Sequence, residues 1–372
     1  MTNNKRFEEF EKSYLKRYYP LANTLQILGR TYPVIIIPAD QEFRNKSFTQ
    51  ILDIDQLLDE DESHLWKFDT AEHQKYVHSP YFEEYSRLVG ENIRFPDRPG
   101  FMFLKFNKDA MENGIRKITA KVGTYAENVY GTNVLDYEMR KTFDVFECIT
   151  DENWDAVKRF SKARENFGQD PIRFPVKTNS LIGVQMLVGI KDKQTGEYNI
   201  IMAERSDKVV TAPGKYQLMP SGGFELMTTQ RNGKYSMQEV MYSFHMGVCV
   251  FREFLEEIMG VGENRQVSGD PVQDVLYDPH IIRIERMLQN GEARMYFLGD
   301  CLNLLGMRHE LSFALLIDEP DVFPYEFSGS YECKKGKLIT DINIRTMEEH
   351  PEIVDKLHSS SAGMLKLAEY LL

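Results

Sequence analysis

The chain has 372 residues, 42% hydrophobic and 27% charged, and a formal charge of −12. These are proportions of an ordinary folded protein with room for about two domains and a core that needs no staples. The acidic balance argues against a broad nucleic-acid-binding surface, because phosphate backbones are repelled.

The four cysteines (Cys148, Cys249, Cys301 and Cys333) are far apart and form no CxxC pair. That speaks against a zinc ribbon, a thioredoxin-type redox site and a disulfide framework. No run approaches the ~18 apolar residues of a membrane span. The first twenty residues, polar and charged, lack the apolar core of a signal peptide. The expected location is therefore cytoplasmic, with reduced thiols and no membrane partner.

Residues 1–30 read as helical, with Phe7, Phe10, Tyr14, Leu15 and Tyr18 on one stripe. TYPVIIIPAD (31–40) reads as a buried strand closed by Pro38. The acidic residues of 51–64 lack the glycine and terminal glutamate of a calcium loop and read as hydrated. FMFLKF (101–106) is a strand after a Pro-Gly turn. A helix is expected from about Asn133 and another over 151–166. The two prolines and the glycine of 167–179 mark the best linker.

From 180 onward the texture changes. SLIGVQMLVGIKD (180–192) and YNIIMAERSD (198–207) read as a hairpin. The loop PSGGFE (220–225) follows, then a polar insertion near 226–240, then a long amphipathic helix over about 237–259. RMYFLGDCLN (294–303) and LSFALLID (311–318) are further strands. This order predicts an α+β fold with antiparallel pairs rather than a doubly wound sheet. SSSAGMLKLAEYLL (359–372) reads as a Ser-capped helix docked on the core.

The segment with chemical content is FREFLEEIMG (251–260). On a helix, Glu253, Glu256 and Glu257 at i, i+3 and i+4 share one face, with Arg252 beside them. Such a face is either simply hydrated or neutralised by a cation, and Mg2+ favours carboxylate oxygens. Gly222 and Gly223 let backbone N–H groups approach a phosphate or turn tightly. Arg205, at the end of a strand, has the charge to contact a phosphate or to form a surface ion pair. His245 and His280 read as ordinary core, surface or turn residues.

With the Gly-Gly loop ahead of the glutamate helix, the 178–345 segment resembles the Nudix hydrolase family. The residues that carry the likeness are Gly222, Gly223, Arg252, Glu253, Glu256, Glu257 and Gly260. Departures from the family's pattern are an insertion of about 15 residues between Gly223 and Arg252, Phe244 where the pattern has a glutamate, and one extra residue before Gly260. The resemblance implies an α/β/α sandwich with a mixed sheet; outside it the sequence reads as an N-terminal α+β region (1–170) and a C-terminal helical tail (346–372). The resemblance also implies hydrolysis of the pyrophosphate in a nucleoside diphosphate-linked substrate. Mg2+, or Mn2+, would be held by Glu253, Glu256 and Glu257, and the general base would be one of these three carboxylates or a glutamate from a loop, Glu225 or Glu310. Gly222, Gly223, Arg205 and Glu225 would bind the substrate. The alternative is a catalytically inactive nucleotide-binding or regulatory module, and a plain solvated face is the third reading. The expected partners are a small nucleotide-type molecule and, as an open option, a second copy of the chain in a homodimer.

Overall fold

The computed structural model describes residues 3–20, 24–48, 82–92, 98–165, 180–206, 214–228, 235–261, 268–322 and 337–372. The acidic stretch at 51–64, the linker at 167–179 and the centre of the 226–240 insertion lie outside the described residues.

The chain opens with α1 (Asn3–Tyr18), whose predicted stripe is buried at Phe10, Tyr14, Leu15 and Tyr18. The helix expected to reach residue 30 stops well short. Leu28 and Gly29, both with positive φ (50° and 68°), make a tight turn between β1 (Leu25–Ile27) and β2 (Arg30–Tyr32). Such a two-residue turn suits the twist of a hairpin. Then come β3 (Val34–Pro38), α2 (Gln41–Asn45), α3 (Phe82–Asn92), β4 (Pro99–Phe106), α4 (Ala110–Asn113) and β5 (Ile118–Thr124). Helix α5 (Tyr125–Asn128) leads through a π-turn at Val129–Asn133 into α6 (Val134–Phe146). The helix expected over 151–166 is two pieces, α7 (Trp154–Phe160) and α8 (Lys162–Glu165).

The second half begins with β6 (Gly183–Lys191), β7 (Tyr198–Glu204), β8 (Tyr216–Leu218) and β9 (Ser221–Gly223). The Gly-Gly loop is thus partly a strand, paired with β6 through Gly183↔Gly223 and Gln185↔Ser221. Next are α9 (Met237–Ser243), α10 (Met246–Glu257), α11 (Pro271–Leu276), α12 (Pro279–Asn290), β10 (Ala293–Asn303) and β11 (Arg308–Ile317). The chain closes with β12 (Ile339–Asn343), α13 (Pro351–Val354) and α14 (Ser359–Ala368).

The fold is α+β around one mixed sheet of order β12-β7-β6-β11-β10-β3, with β8 on β7 and β9 on β6. The hairpin β6–β7 and the pair β10–β11 are antiparallel as expected, but β6 and β11 run parallel, Gly183 opposite Glu310. The sheet also extends beyond 178–345, because β3 pairs with β10 as its edge strand. One face packs against α10, α11, α12 and the β4–β5 hairpin through Phe101, Val184, Phe251, Phe254 and Phe313. The other packs against α13, α14 and β1–β2 through Leu187, Ile200, Leu298, Ala314 and Leu365. Helices therefore cover both faces of the sheet.

Residues 1–170 also join this body through a buried cation. Arg164 donates to the Leu304 carbonyl at 2.7 Å, to Tyr19 Oη at 3.1 Å and to the Leu305 carbonyl. Helix α14 begins at Ser359 with His358 as its N-cap and no side-chain capping bond, so the expected serine cap is not formed. No helix of the described residues is long and apolar enough to cross a membrane.

Candidate functional site

The single helix expected over 237–259 is broken. At Phe244 and His245 the backbone leaves helical geometry, which ends α9 and restarts the chain in α10 with His245 as its N-cap. The cause is aromatic packing. The Phe244 ring stacks on Phe224 at 5.3 Å and 8° and meets Phe101 at 4.6 Å. A buried aromatic thus occupies the position where the family's pattern carries a glutamate. His280, expected in a turn, lies instead in the first turn of α12, its ring 2.8 Å from Asp278.

Helix α10 is apolar on the core side, burying Val248, Val250, Phe251 and Phe254. Arg252, Glu253, Glu256 and Glu257 project toward β9. Gly260, with φ of 66°, follows the helix where a left-handed turn suits glycine.

Arg252 organises the group. Its guanidinium donates to the Gly223 carbonyl at 3.1 Å, to Glu225 Oε2 at 3.2 Å and to Glu253, and lies 3.8 Å from Glu256. Burial opposes its charge, but Glu253, Glu256 and Glu225 outweigh that and hold it firmly protonated. Glu225 Oε2 also meets Arg98 at 3.2 Å, so a residue from the N-terminal region closes one side. Backbone bonds support this approach: Phe101 N–H donates to the Phe224 carbonyl and Leu226 N–H to the Pro99 carbonyl, both at 2.8 Å.

The glycines have a steric role. A Cβ on Gly222 would stand 2.1 Å from the Glu253 carboxyl carbon, and one on Gly223 would stand 2.8 Å from Leu181 Cδ2. Glu257, 4% exposed, accepts from Ser221 N–H at 2.6 Å. Arg205 lies at the end of β7, where its backbone N–H donates to the Lys215 carbonyl at 2.8 Å and its side chain donates to Gln217.

Strand β11 carries the expected Glu310, which lies within the strand rather than in a loop, and adds Arg308, which the sequence reading passed over. Arg308 lies 2.9 Å from Glu310 and reaches the Gly222 carbonyl at 3.4 Å. Glu310 is buried in a cradle that a Cβ on Gly183 would fill, 1.7 Å from its Oε2, and that oxygen makes no hydrogen bond. Burial pushes the Glu310 carboxyl up from its ordinary range, against the pull of Arg308. Behind it, buried His309 pairs with Asp300 at 2.8 Å under the Phe103 ring. The i, i+2 spacing of Arg308, Glu310 and Ser312 was the available signal, since alternate residues share a strand face.

Of the expected site residues, Gly222, Gly223, Glu225, Arg252, Glu253, Glu256 and Glu257 come together, and Glu310 approaches through Arg308. Arg205 joins through Gln217, which donates to Ser221 Oγ at 2.5 Å. Among the described residues, no three His, Cys, Asp or Glu side chains gather as a metal-holding group. Glu253 faces Arg252, whereas Glu257 faces Ser221. The donor chemistry, carboxylate oxygens beside a bare glycine backbone, nevertheless suits a hard dication such as Mg2+ or Mn2+.

No family model and no curated protein matches the chain. Among solved structures it is similar to the Nudix domain of Shewanella oneidensis NrtR complexed with ADP ribose, at 10% identity and a TM-score of 0.28 over 53% of this chain and 92% of that one. It is similar also to a Nudix hydrolase from M. smegmatis, RenU (9% identity, TM-score 0.24, 51% of this chain and 85% of that one). A MutT/nudix family protein from Enterococcus faecalis is a third (12% identity, TM-score 0.24, 63% and 78%). These likenesses are low.

Proposed function

We propose that the chain hydrolyses a pyrophosphate bond in a nucleoside diphosphate-linked substrate, with Mg2+ or Mn2+ held by Glu253, Glu256 and Glu257. The observation that carries this reading is the Arg252 cluster: one guanidinium, on a side chain 14% exposed, ties Glu225, Glu253 and the Gly223 carbonyl together, with Glu256 close by, under a strand whose glycine leaves room for a carboxylate. A hydrated helix face does not need a largely enclosed arginine to organise it.

The cation, when bound, withdraws charge from the phosphoryl oxygens. The chain's own groups position and exchange protons. Arg252 orients Glu253, and Ser221 N–H fixes Glu257. Glu225, pinned between Arg98 and Arg252, suits an orienting role better than that of a base. Glu310 fits the base role better, since its raised pKa and unbonded oxygen favour proton exchange nearer neutrality.

A second reading, a nucleotide-binding module without turnover, is favoured by Phe244 in its aromatic stack and by the extent to which Arg252 already neutralises the carboxylates. The test is hydrolysis of ADP-ribose, NAD+, dinucleoside polyphosphates and (d)NTPs with and without Mg2+, for wild type, Glu256→Gln and Glu257→Gln. The hydrolase reading expects Mg2+-dependent turnover that collapses in both folded variants. Saturable binding without turnover would replace it with the second reading.

A further inference from the structure

The N-terminal region reaches the candidate site through the β4–β5 hairpin. Strand β4 lies across two segments of the second half: Gly100 is bridged to Glu225, just after β9, and Met102 to Leu181, just before β6. Phe103 N–H donates to the Ser180 carbonyl at 2.9 Å and Ile182 N–H to the Phe101 carbonyl at 2.8 Å, adding to the bonds that join Phe101 to Phe224 and Pro99 to Leu226. The crossing has no room for a side chain. A Cβ on Gly100 would stand 2.4 Å from Leu181 Cδ1 and 3.0 Å from the Phe224 carbonyl oxygen. The Phe101 and Phe224 rings meet at 4.6 Å on the core side. Backbone bonds, a bare glycine and paired rings together fix where β4 begins.

Arg98 is the residue just before this strand. Its carbonyl accepts from Tyr125 N–H at 2.8 Å, so its backbone is also held from the far end of β5. Its Nη1 lies 3.2 Å from Glu225 Oε2, and Arg252 Nη1 donates to that same oxygen, also at 3.2 Å. Two cations thus share one carboxylate oxygen, one from the N-terminal region and one from α10. With Nη1 engaged on Glu225, Arg252 turns Nη2 to the Gly223 carbonyl and to Glu253. The side chain of Glu225 is 19% exposed and that of Arg98 33%, so Glu225 is the more enclosed end of the pair. A carboxylate held by two donors has fewer orientations than one held by a single donor, and its orientation sets where Arg252 points.

We propose that Arg98 is a positioning residue: through Glu225 it fixes the guanidinium of Arg252, and with it the place of Glu253, which makes the β4–β5 hairpin a working part of the site. The inference rests on the hydrolase reading for the role of Glu253 as a metal ligand. Charge alone predicts the opposite effect. A cation near the carboxylates repels a dication, so its removal would tighten metal binding, whereas loss of positioning weakens it.

The test is calorimetric titration of the full chain with Mn2+, without nucleotide. Wild type is compared with Arg98→Ala, Arg98→Lys, Glu225→Gln and the Arg98→Ala/Glu225→Gln double variant, each checked for folding. The expected result is saturable binding that weakens by about three- to tenfold in Arg98→Ala, the scale of one charge-assisted hydrogen bond discounted for partial exposure. Arg98→Lys, which keeps a cation facing a single oxygen, should recover most of the affinity. In the Glu225→Gln background, Arg98→Ala should cost nothing further, because its route to the site is already cut. Equal or tighter binding in folded Arg98→Ala, or an undiminished loss in the Glu225→Gln background, would overturn the proposal and leave the hydrolase reading standing. No saturable Mn2+ binding to folded wild type would remove the metal site on which both rest.

Discussion

Gly222→Ala adds a single methyl group directly against Glu253. That carbon would stand 2.1 Å from the carboxyl carbon and 2.2 and 2.3 Å from its oxygens, where 3.4 Å is ordinary contact. The carboxylate must retreat by about 1.2 Å to restore van der Waals distance. A carboxylate in water would swing aside at almost no cost. This one belongs to a side chain 9% exposed and accepts from Arg252, so retreat breaks a charge-assisted bond inside the protein. The expected loss of stability is about 1.5–3 kcal/mol. In a Glu253→Ala background the obstacle is gone, and the same substitution should become neutral or stabilise by up to about 1 kcal/mol through the unfolded chain. Denaturant unfolding of the four proteins at pH 7 closes the cycle, and the coupling energy isolates the contact whatever each single change does elsewhere. A cost for Gly222→Ala below about 0.5 kcal/mol, or an equal cost in both backgrounds, would refute the steric reasoning.

Two further outcomes follow from burial. Cys148 is exposed whereas Cys249 and Cys301 are buried, burial pushing the Cys249 thiol up to about 12 and Cys301 well above its ordinary value. A thiol reagent at pH 8 should label Cys148 in the native chain and reach the other two only on unfolding, with peptide mass spectrometry as the readout. His358, with a folded pKa of about 3, adds stability that is fully present above the unfolded value of about 6.5 and is lost as pH falls toward 3. Its ring resonance should therefore not titrate between pH 7 and 5, and His358→Asn should flatten the acid limb of the stability curve. A midpoint near 6.5 would contradict the burial that, with the charges of Arg205, Arg308 and Lys215, pushes this ring's pKa down.

Local periodicity made much of the candidate site legible. The i, i+3, i+4 spacing of Glu253, Glu256 and Glu257 places them on one face, and the apolar runs at 183–191 and 198–204 are strands. What periodicity does not carry is the partner of each face. Arg98 meets Glu225 across 127 positions, and nothing in either local segment points to the other. The parallel match of β6 with β11 is hidden for the same reason, since a buried strand reads alike in either direction. The break at Phe244 escaped because aromatic residues fit an amphipathic helix pattern, whereas its cause is tertiary: the ring fills a space between Phe101 and Phe224. The short hairpin after α1 was missed at a Leu-Gly pair, where a leucine rarely accepts positive φ.

The edge pairing of β3 with β10 has a consequence for the chain as it emerges from the ribosome. Val34–Pro38 is made early, and its hydrogen-bonding partner is made about 265 residues later, a delay of about 13–53 s at ordinary synthesis rates. Helix α14, which covers the same strand, comes later still: Gly363 fits so closely that a Cβ there would stand 3.2 Å from the methyl groups of Val34 and Ile36. Throughout that interval an apolar strand waits without its neighbours, the kind of segment that chaperones recognise and that pairs with stray strand edges. The nascent chain must therefore keep its first sheet segment shielded until its last helix has been translated, and expression yield should depend on how well it does so.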